Sequence, residues 1–213
     1  MRLDTPPRVL ITGAGSGIGR ACAEALSARR ARLILCDNDA ASLRQATEEL
    51  GAVGRYCDVA SEASVAVFAA DITGTFTSLD LLINAAGGGY ERTLGMYRIS
   101  RALMPALRRG PHLKLMVNIP PEEEPNVAIF PYASSAQAFH RLSAALAAET
   151  KGTGIGVMIG EPQSGRLSQV VPDPDSGPTA ATYGLPAQRQ GGTLVSQIAE
   201  LVGPGHWGQR KAG

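Results

Sequence analysis

The sequence predicts an α/β chain: a doubly wound parallel sheet of the Rossmann type, three layers deep (α/β/α), with residues 1–213 forming a single domain. Three observations lead there. Short apolar runs alternate with helical patterns along most of the chain. The first run ends in a glycine cluster, Thr12-Gly13-Ala14-Gly15-Ser16-Gly17-Ile18-Gly19, from which a helical pattern starts at once. The length of 213 residues, with 44% hydrophobic and 18% charged, suits one core large enough to fold alone.

The apolar runs at 9–12, 33–37, 53–57, 79–84, 113–119 and 155–159 read as buried parallel strands. Ile18, Cys22, Ala25 and Leu26 line one face of the first helix, and Leu43, Ala46 and Leu50 line the second. Met96, Ile99, Leu103 and Leu107 line another, which Pro105 is expected to kink. Phe139, Leu142 and Leu146 mark a long Ala-rich helix starting near Tyr132. Residues 161–190 are rich in Pro, Gly, Ser and Gln with little periodicity, and read as a mobile loop. Leu194, Val195, Ile198, Leu201 and Val202 form a last helix, and 203–213 a loose polar tail.

The formal net charge is +1 and no basic face is visible, which argues against a nucleic-acid partner. Arg29, Arg30 and Arg32, and likewise Arg108 and Arg109, sit at helix ends, where cations are favourable. Cys22, Cys36 and Cys57 each lie in apolar surroundings, so buried reduced thiols are expected. His112, His140 and His206 are isolated, so no metal site is expected. No signal peptide opens the chain and no apolar run approaches membrane-spanning length, which leads to the expectation of a soluble cytoplasmic protein without a membrane partner.

The glycine cluster places unpaired backbone N–H groups at a helix N-terminus, where an anion binds readily. Gly13 permits the tight turn, Gly17 lets the backbone approach a pyrophosphate, and Gly19 lets the helix pack closely. The spacing is not G-x-G-x-x-G, because Ile18 and Arg20 stand where the final glycine would fall. Asp37 ends the second strand; a carboxylate there accepts hydrogen bonds from ribose hydroxyls and repels a 2′-phosphate. Capping the next helix is the alternative role for it.

The form T-G-x-x-x-G-x-G led by Thr12, then Asp37, then Cys57-Asp58-Val59, then Asn84-Ala85-Ala86-Gly87, each at the end of a strand, resembles the short-chain dehydrogenase/reductase family over residues 8–162. The resemblance implies a nicotinamide cofactor held by Thr12, Gly13, Gly15, Ser16, Gly17, Ile18, Gly19, Asp37, Asp58, Val59, Asn84, Ala85, Ala86 and Gly87. It puts Asp58 beside the adenine with Val59 packed on the ring, and gives Asn84 the task of tying central strands together. Ser16 and Asn38 stand where NADP-preferring members often carry a basic residue, so NAD is favoured over NADP. Family members usually pair through the helix bearing the catalytic Tyr and the helix before it. A homodimer or homotetramer is expected accordingly, with Ala138, Ala144, Ala145, Ala147 and Ala148 permitting close approach.

The family's reaction uses a Tyr, a Lys four residues later, a Ser and an Asn. Tyr132 resembles the Tyr, followed by Ala133-Ser134-Ser135. Ala136 stands where the Lys is expected, Pro120 and Pro121 where the serines are, and Arg92 where the Asn falls. A free Tyr has a pKa of about 10, so roughly one in a thousand is ionised at neutral pH, which handicaps alcohol oxidation more than carbonyl reduction. Losing a donor to the substrate oxygen typically costs on the order of 10² to 10³ in rate. Ser135, Asn118 and Arg92 are candidate replacements; Tyr97 and Arg101 read as a solvated helix face. The resemblance implies an oxidoreductase acting on an unidentified small alcohol or carbonyl compound with a non-standard site. The alternative is a catalytically inactive NAD(H)-binding protein, a sensor or partner subunit, on the same fold.

Overall fold

A computed structural model describes residues 5–111, 113–120, 129–170, 188–189 and 193–202, the side chains of 129–136 and 188–189 excepted. Six parallel strands form the centre: β1 (Arg8–Thr12), β2 (Arg32–Asp37), β3 (Val53–Tyr56), β4 (Leu81–Asn84), β5 (Leu115–Asn118) and β6 (Gly156–Glu161). Two antiparallel strands, β7 (Arg166–Gln169) and β8 (Gln188–Arg189), extend one edge. The order is β3-β2-β1-β4-β5-β6-β7-β8, so the chain reverses its winding direction between β1 and β4. In open sheets of this type, ligands bind at the carboxyl ends of the strands flanking that reversal.

Strand alternation builds two cores. Val9 and Ile11 point to one face, packing with Cys22 and Leu26 of α1 (Gly17–Ala28), Leu43 and Ala46 of α2 (Ala40–Leu50), and Ile198 of α6 (Leu194–Leu201). Leu10, Ile34 and Leu82 point to the other. They pack with Phe68 and Ile72 of α3 (Glu62–Thr75), Ile99 and Leu103 of α4 (Gly89–Arg108), and Phe139 and Leu146 of α5 (Ile129–Glu149).

Two expectations change. The stretch 161–190 is not loop throughout: the chain turns back at 162–165 and pairs Arg166 with Glu161 and Gln169 with Met158. Gly165 closes that turn at φ +63°, a left-handed conformation that suits glycine. Leu167 is the buried side chain of β7, so no apolar run marks the strand. The long helix begins at Ile129, ahead of Tyr132, with Pro131 in its first turn, where a missing N–H is tolerated. Helix α4 continues through Pro105 to Arg108. Residues 171–187 and the tail 203–213 lie outside the described residues.

Helix α3 carries its buried stripe at Val65, Phe68, Ala69 and Ile72. Val67, 73% exposed, blurs that stripe in the sequence. Ser61 caps α3 by accepting from the Ser64 amide, and Asp39 caps α2 by accepting from the Ala41 and Ser42 amides. The cap of α2 is therefore Asp39, and Asp37 is left for another role.

Candidate functional site

At the carboxyl ends of β1–β5 lies a cleft of about 650 Å³, within the usual range for small-molecule sites. Gly13, Ser16, Gly17 and Ile18 line it from the β1–α1 turn, Asp37 from the end of β2, and Asp58 and Val59 from the segment after β3. Ala85, Ala86 and Gly87 line it from the end of β4.

The turn is shaped by close backbone approach. A Cβ at Gly19 would stand 2.1 Å from the Gly13 carbonyl oxygen, so only glycine lets α1 start there. A Cβ on Gly13, itself at φ +66°, would strike the Ala85–Ala86 backbone at 2.7 to 2.8 Å. Gly17 differs: at φ +53° it has no neighbour within 4 Å of a built Cβ, so its face is open to the cleft. Ser16 occupies the N-cap of α1 without a side-chain cap, which leaves the first amides of the helix to a ligand.

Asp37 is held in place. Its Oδ2 accepts from the Gly15 amide at 2.8 Å, and its Oδ1 accepts from the Asp39 amide at 3.0 Å. Each oxygen keeps a lone pair for a further donor. Asp58 is fixed from both sides: its Oδ1 accepts from the Ala60 amide at 3.1 Å, and its own amide donates to Ser64 Oγ at 3.0 Å. The Ser42 hydroxyl, with the Ser42 and Ala41 amides, holds the Asp39 carboxyl below its ordinary value.

Thr12, Gly15, Gly19 and Asn84 do not line the cleft but shape it. Thr12 is 1% exposed, and its Oγ1 accepts from the Ala85 and Ala86 amides at 3.2 and 3.3 Å, clamping the end of β4 to β1. Asn84 Nδ2 donates to Ser100 Oγ at 2.9 Å and to Asn118 Oδ1 at 2.8 Å; Asn118 Nδ2 then donates to Ser143 Oγ at 3.2 Å. That buried relay ties β4, β5, α4 and α5 together. It also occupies Asn118, which is fully buried and so is removed as a replacement catalytic group.

Several lining residues were not singled out from sequence for this cleft: Asp39, Cys57, Gly88, Ile119 and Pro162, while Arg92 and Pro120 now have a place in it. Arg92 Nη1 donates to the Gly87 carbonyl at 2.8 Å. Cys57 is lowered below the ordinary thiol value by a hydrogen bond from Cys36, whereas Cys36 is pushed well up by the same bond and by burial. Tyr97 and Arg101 are not simply solvated: both reach Glu149 of α5, Arg101 at 2.9 Å. The Tyr132 backbone lies in the first turn of α5. Pro121 and the side chains of Tyr132, Ser135 and Ala136 lie outside the described residues.

These features suit a dinucleotide: open amides at the start of α1, a glycine face that a Cβ would fill, and a fixed carboxylate with spare acceptor capacity. Among the described residues no group of three His, Cys, Asp or Glu could hold a metal ion, and no helix is long and apolar enough to cross a membrane.

Comparisons with known proteins agree with this geometry. The profile of the short chain dehydrogenase family matches residues 7–104. Dehydrogenase/reductase SDR family member 7B of Bos taurus is 32% identical over 141 residues, covering 52% of this chain and 43% of that protein. The chain thus spans less than half the length of that relative. Galactitol 2-dehydrogenase (L-tagatose-forming) of Cereibacter sphaeroides is 33% identical over 175 residues, covering 69% and 66%. Among solved structures, a short-chain dehydrogenase of Streptomyces avermitilis is 28% identical with a TM-score of 0.65, covering 75% and 66%. A metagenomic short-chain oxidoreductase in complex with NADP is 25% identical with a TM-score of 0.63, covering 74% and 82%. Glycine turn, switch-point cleft and sequence matches lead to one assignment: the chain belongs to the short-chain dehydrogenase/reductase family, whose members bind nicotinamide cofactors.

Proposed function

We propose that the chain is an oxidoreductase that binds NAD(H) and acts on a small alcohol or carbonyl compound through a residue set that departs from the family's usual one. The observation that carries this reading is the placement of Asp37: a fixed carboxylate at the end of β2, facing a cleft whose glycine turn exposes helix amides. An acceptor there suits two ribose hydroxyls, and its charge, with Asp39 and Asp58 beside it, disfavours the extra phosphate of NADP.

The bound coenzyme supplies the hydride carrier; the chain supplies position and protons. Gly13 and Gly17 offer backbone to the diphosphate, and Ala85 to Gly87 form the wall along which the cofactor lies. Tyr132 is the proton donor in this reading. With Ala136 in place of a lysine, no ammonium four residues on depresses its pKa. In this reading, that absence favours delivering a proton to a carbonyl oxygen over removing one from an alcohol. The proposed assembly is a homodimer or homotetramer through α4 and α5, where Ala144 and Ala148 are exposed beside Arg141. Sedimentation at micromolar concentration reports on it, and a monomer alone ends that expectation.

Titration of NADH and NADPH, followed by fluorescence, tests the cleft; a panel of small aldehydes and ketones then tests turnover. NADH is expected to bind more tightly than NADPH, and Tyr132→Phe to abolish most reduction. Activity unchanged in Tyr132→Phe removes Tyr132 from the mechanism. Tight NADH binding without turnover on any carbonyl identifies a binding protein that keeps the cleft.

A further inference from the structure

Charges around the cleft are divided by the sheet. Asp37, Asp39 and Asp58 stand beyond β2 and β3, on one side of β1. On the other side, past β4 and β5, the lining is Ala86, Gly87, Gly88, Ile119 and Pro120, with a single charged side chain among the described residues, Arg92.

Arg92 is the fourth residue of α4. Its Nη1 lies along the backbone at the cleft wall: it donates to Gly87 O at 2.8 Å, and a Cβ on Gly88 would come within 3.0 Å of it. That bond uses one of five guanidinium donors. Among the described residues no carboxylate pairs with Arg92, and the adjacent Glu91 is 4.0 Å from Arg98 instead. A cation this near a helix N-terminus also opposes the helix dipole. An arginine that its own helix disfavours and that no carboxylate among the described residues neutralises, yet anchored at a cleft wall, is arranged for an anion arriving from solution.

We propose that Arg92 binds the carboxylate of the substrate, so that the chain acts on small oxo acids or hydroxy acids rather than on neutral carbonyl compounds. The planar fork of a guanidinium matches a carboxylate, and one arginine balances one negative charge. The diphosphate of a dinucleotide has its own seat at the start of α1, on the far side of the β1–β4 junction. This assignment rests on the cofactor reading only for which end of the cleft is left to substrate.

Calorimetry with 2-oxobutanoate and its methyl ester, each titrated with and without NADH, tests it. The carboxylate is expected to bind about tenfold or more tightly than the ester. Arg92→Gln is expected to erase that preference, Arg92→Lys to keep part of it, and both to leave NADH affinity unchanged. Equal binding of acid and ester, no binding of either, or a preference that survives Arg92→Gln overturns the assignment. A fall in NADH affinity in Arg92→Gln without loss of the acid preference also overturns it, because Arg92 then serves the coenzyme. Should the wild-type protein bind the acid selectively but not NADH, the cofactor reading fails and the Arg92 site stands.

Discussion

The Gly15 amide donates to Asp37 Oδ2 at 2.8 Å, joining the turn after β1 to the last residue of β2. One carboxylate therefore shapes the glycine turn and, in the proposed reading, also faces the place for the sugar. Replacing it acts on both. Asp37→Ala is expected to weaken NADH binding by about 10- to 100-fold, the worth of hydrogen bonds to a charged group. Asp37→Asn keeps an acceptor for Gly15 but loses the charge, so it should narrow the gap between NADH and NADPH with a smaller loss of affinity. Calorimetry with both coenzymes measures the two effects, and an unchanged preference in Asp37→Asn contradicts the electrostatic account.

Gly17 and Gly19 predict opposite phenotypes. A methyl at Gly19 collides with the Gly13 carbonyl, so Gly19→Ala should cost about 1–3 kcal/mol of stability by overpacking. A methyl at Gly17 meets nothing in the protein but intrudes on the open face of the turn. Gly17→Ala should lose about 1–2 kcal/mol for its left-handed conformation and lose coenzyme binding out of proportion. Urea unfolding and NADH titration together separate them; equal ratios of stability loss to binding loss would refute the distinction.

The Asn84–Asn118 pair is buried and reciprocal in its effect on neighbours. Asn118→Ala strands donors of Asn84 and the hydroxyl of Ser143, and is expected to cost about 1–3 kcal/mol. The double substitution with Asn84→Ala should cost less than the sum of the singles, because each alone leaves the other unsatisfied. Additive losses in denaturant midpoints would show that the pair is not coupled.

Burial pushes the Cys22 thiol up to about 12 from an ordinary value of 9.0. The folded chain keeps that proton where the unfolded chain loses it, so unfolding releases a proton across the interval. The contribution is complete below the unfolded value and is lost as pH rises towards about 12. The slope approaches about 1.4 kcal/mol per pH unit for one thiol. Cys36, also raised, adds in the same direction. Unfolding free energies measured between about pH 8 and about pH 10.5 should fall more steeply in the wild type than in Cys22→Ala. Parallel lines would show that Cys22 does not contribute.

The parts of the fold that were legible are those where burial leaves a continuous mark. β1, β2 and β4 are buried on both faces, so their apolar runs stand out, and the glycine turn follows β1 directly. β7 was not legible because Leu167 alone is buried in it. Within the site, lining residues at strand ends could be matched by order, as with Asp37 and Asp58. The role of Thr12 could not, because it acts through hydrogen bonds from amides 73 and 74 positions away. Arg92 was visible as a misplaced residue, but its bond to Gly87 depends on how α4 leaves β4.

The Ser143 hydroxyl, caught by Asn118 in the middle of α5, has a consequence for how this scaffold can change. Sliding the helix by one position would swing that hydroxyl through about 100° and away from its partner. The interior of α5 thus sets the aim of whatever its tip carries. The first turns of α5 can therefore vary in sequence without shifting the register of the helix against β5.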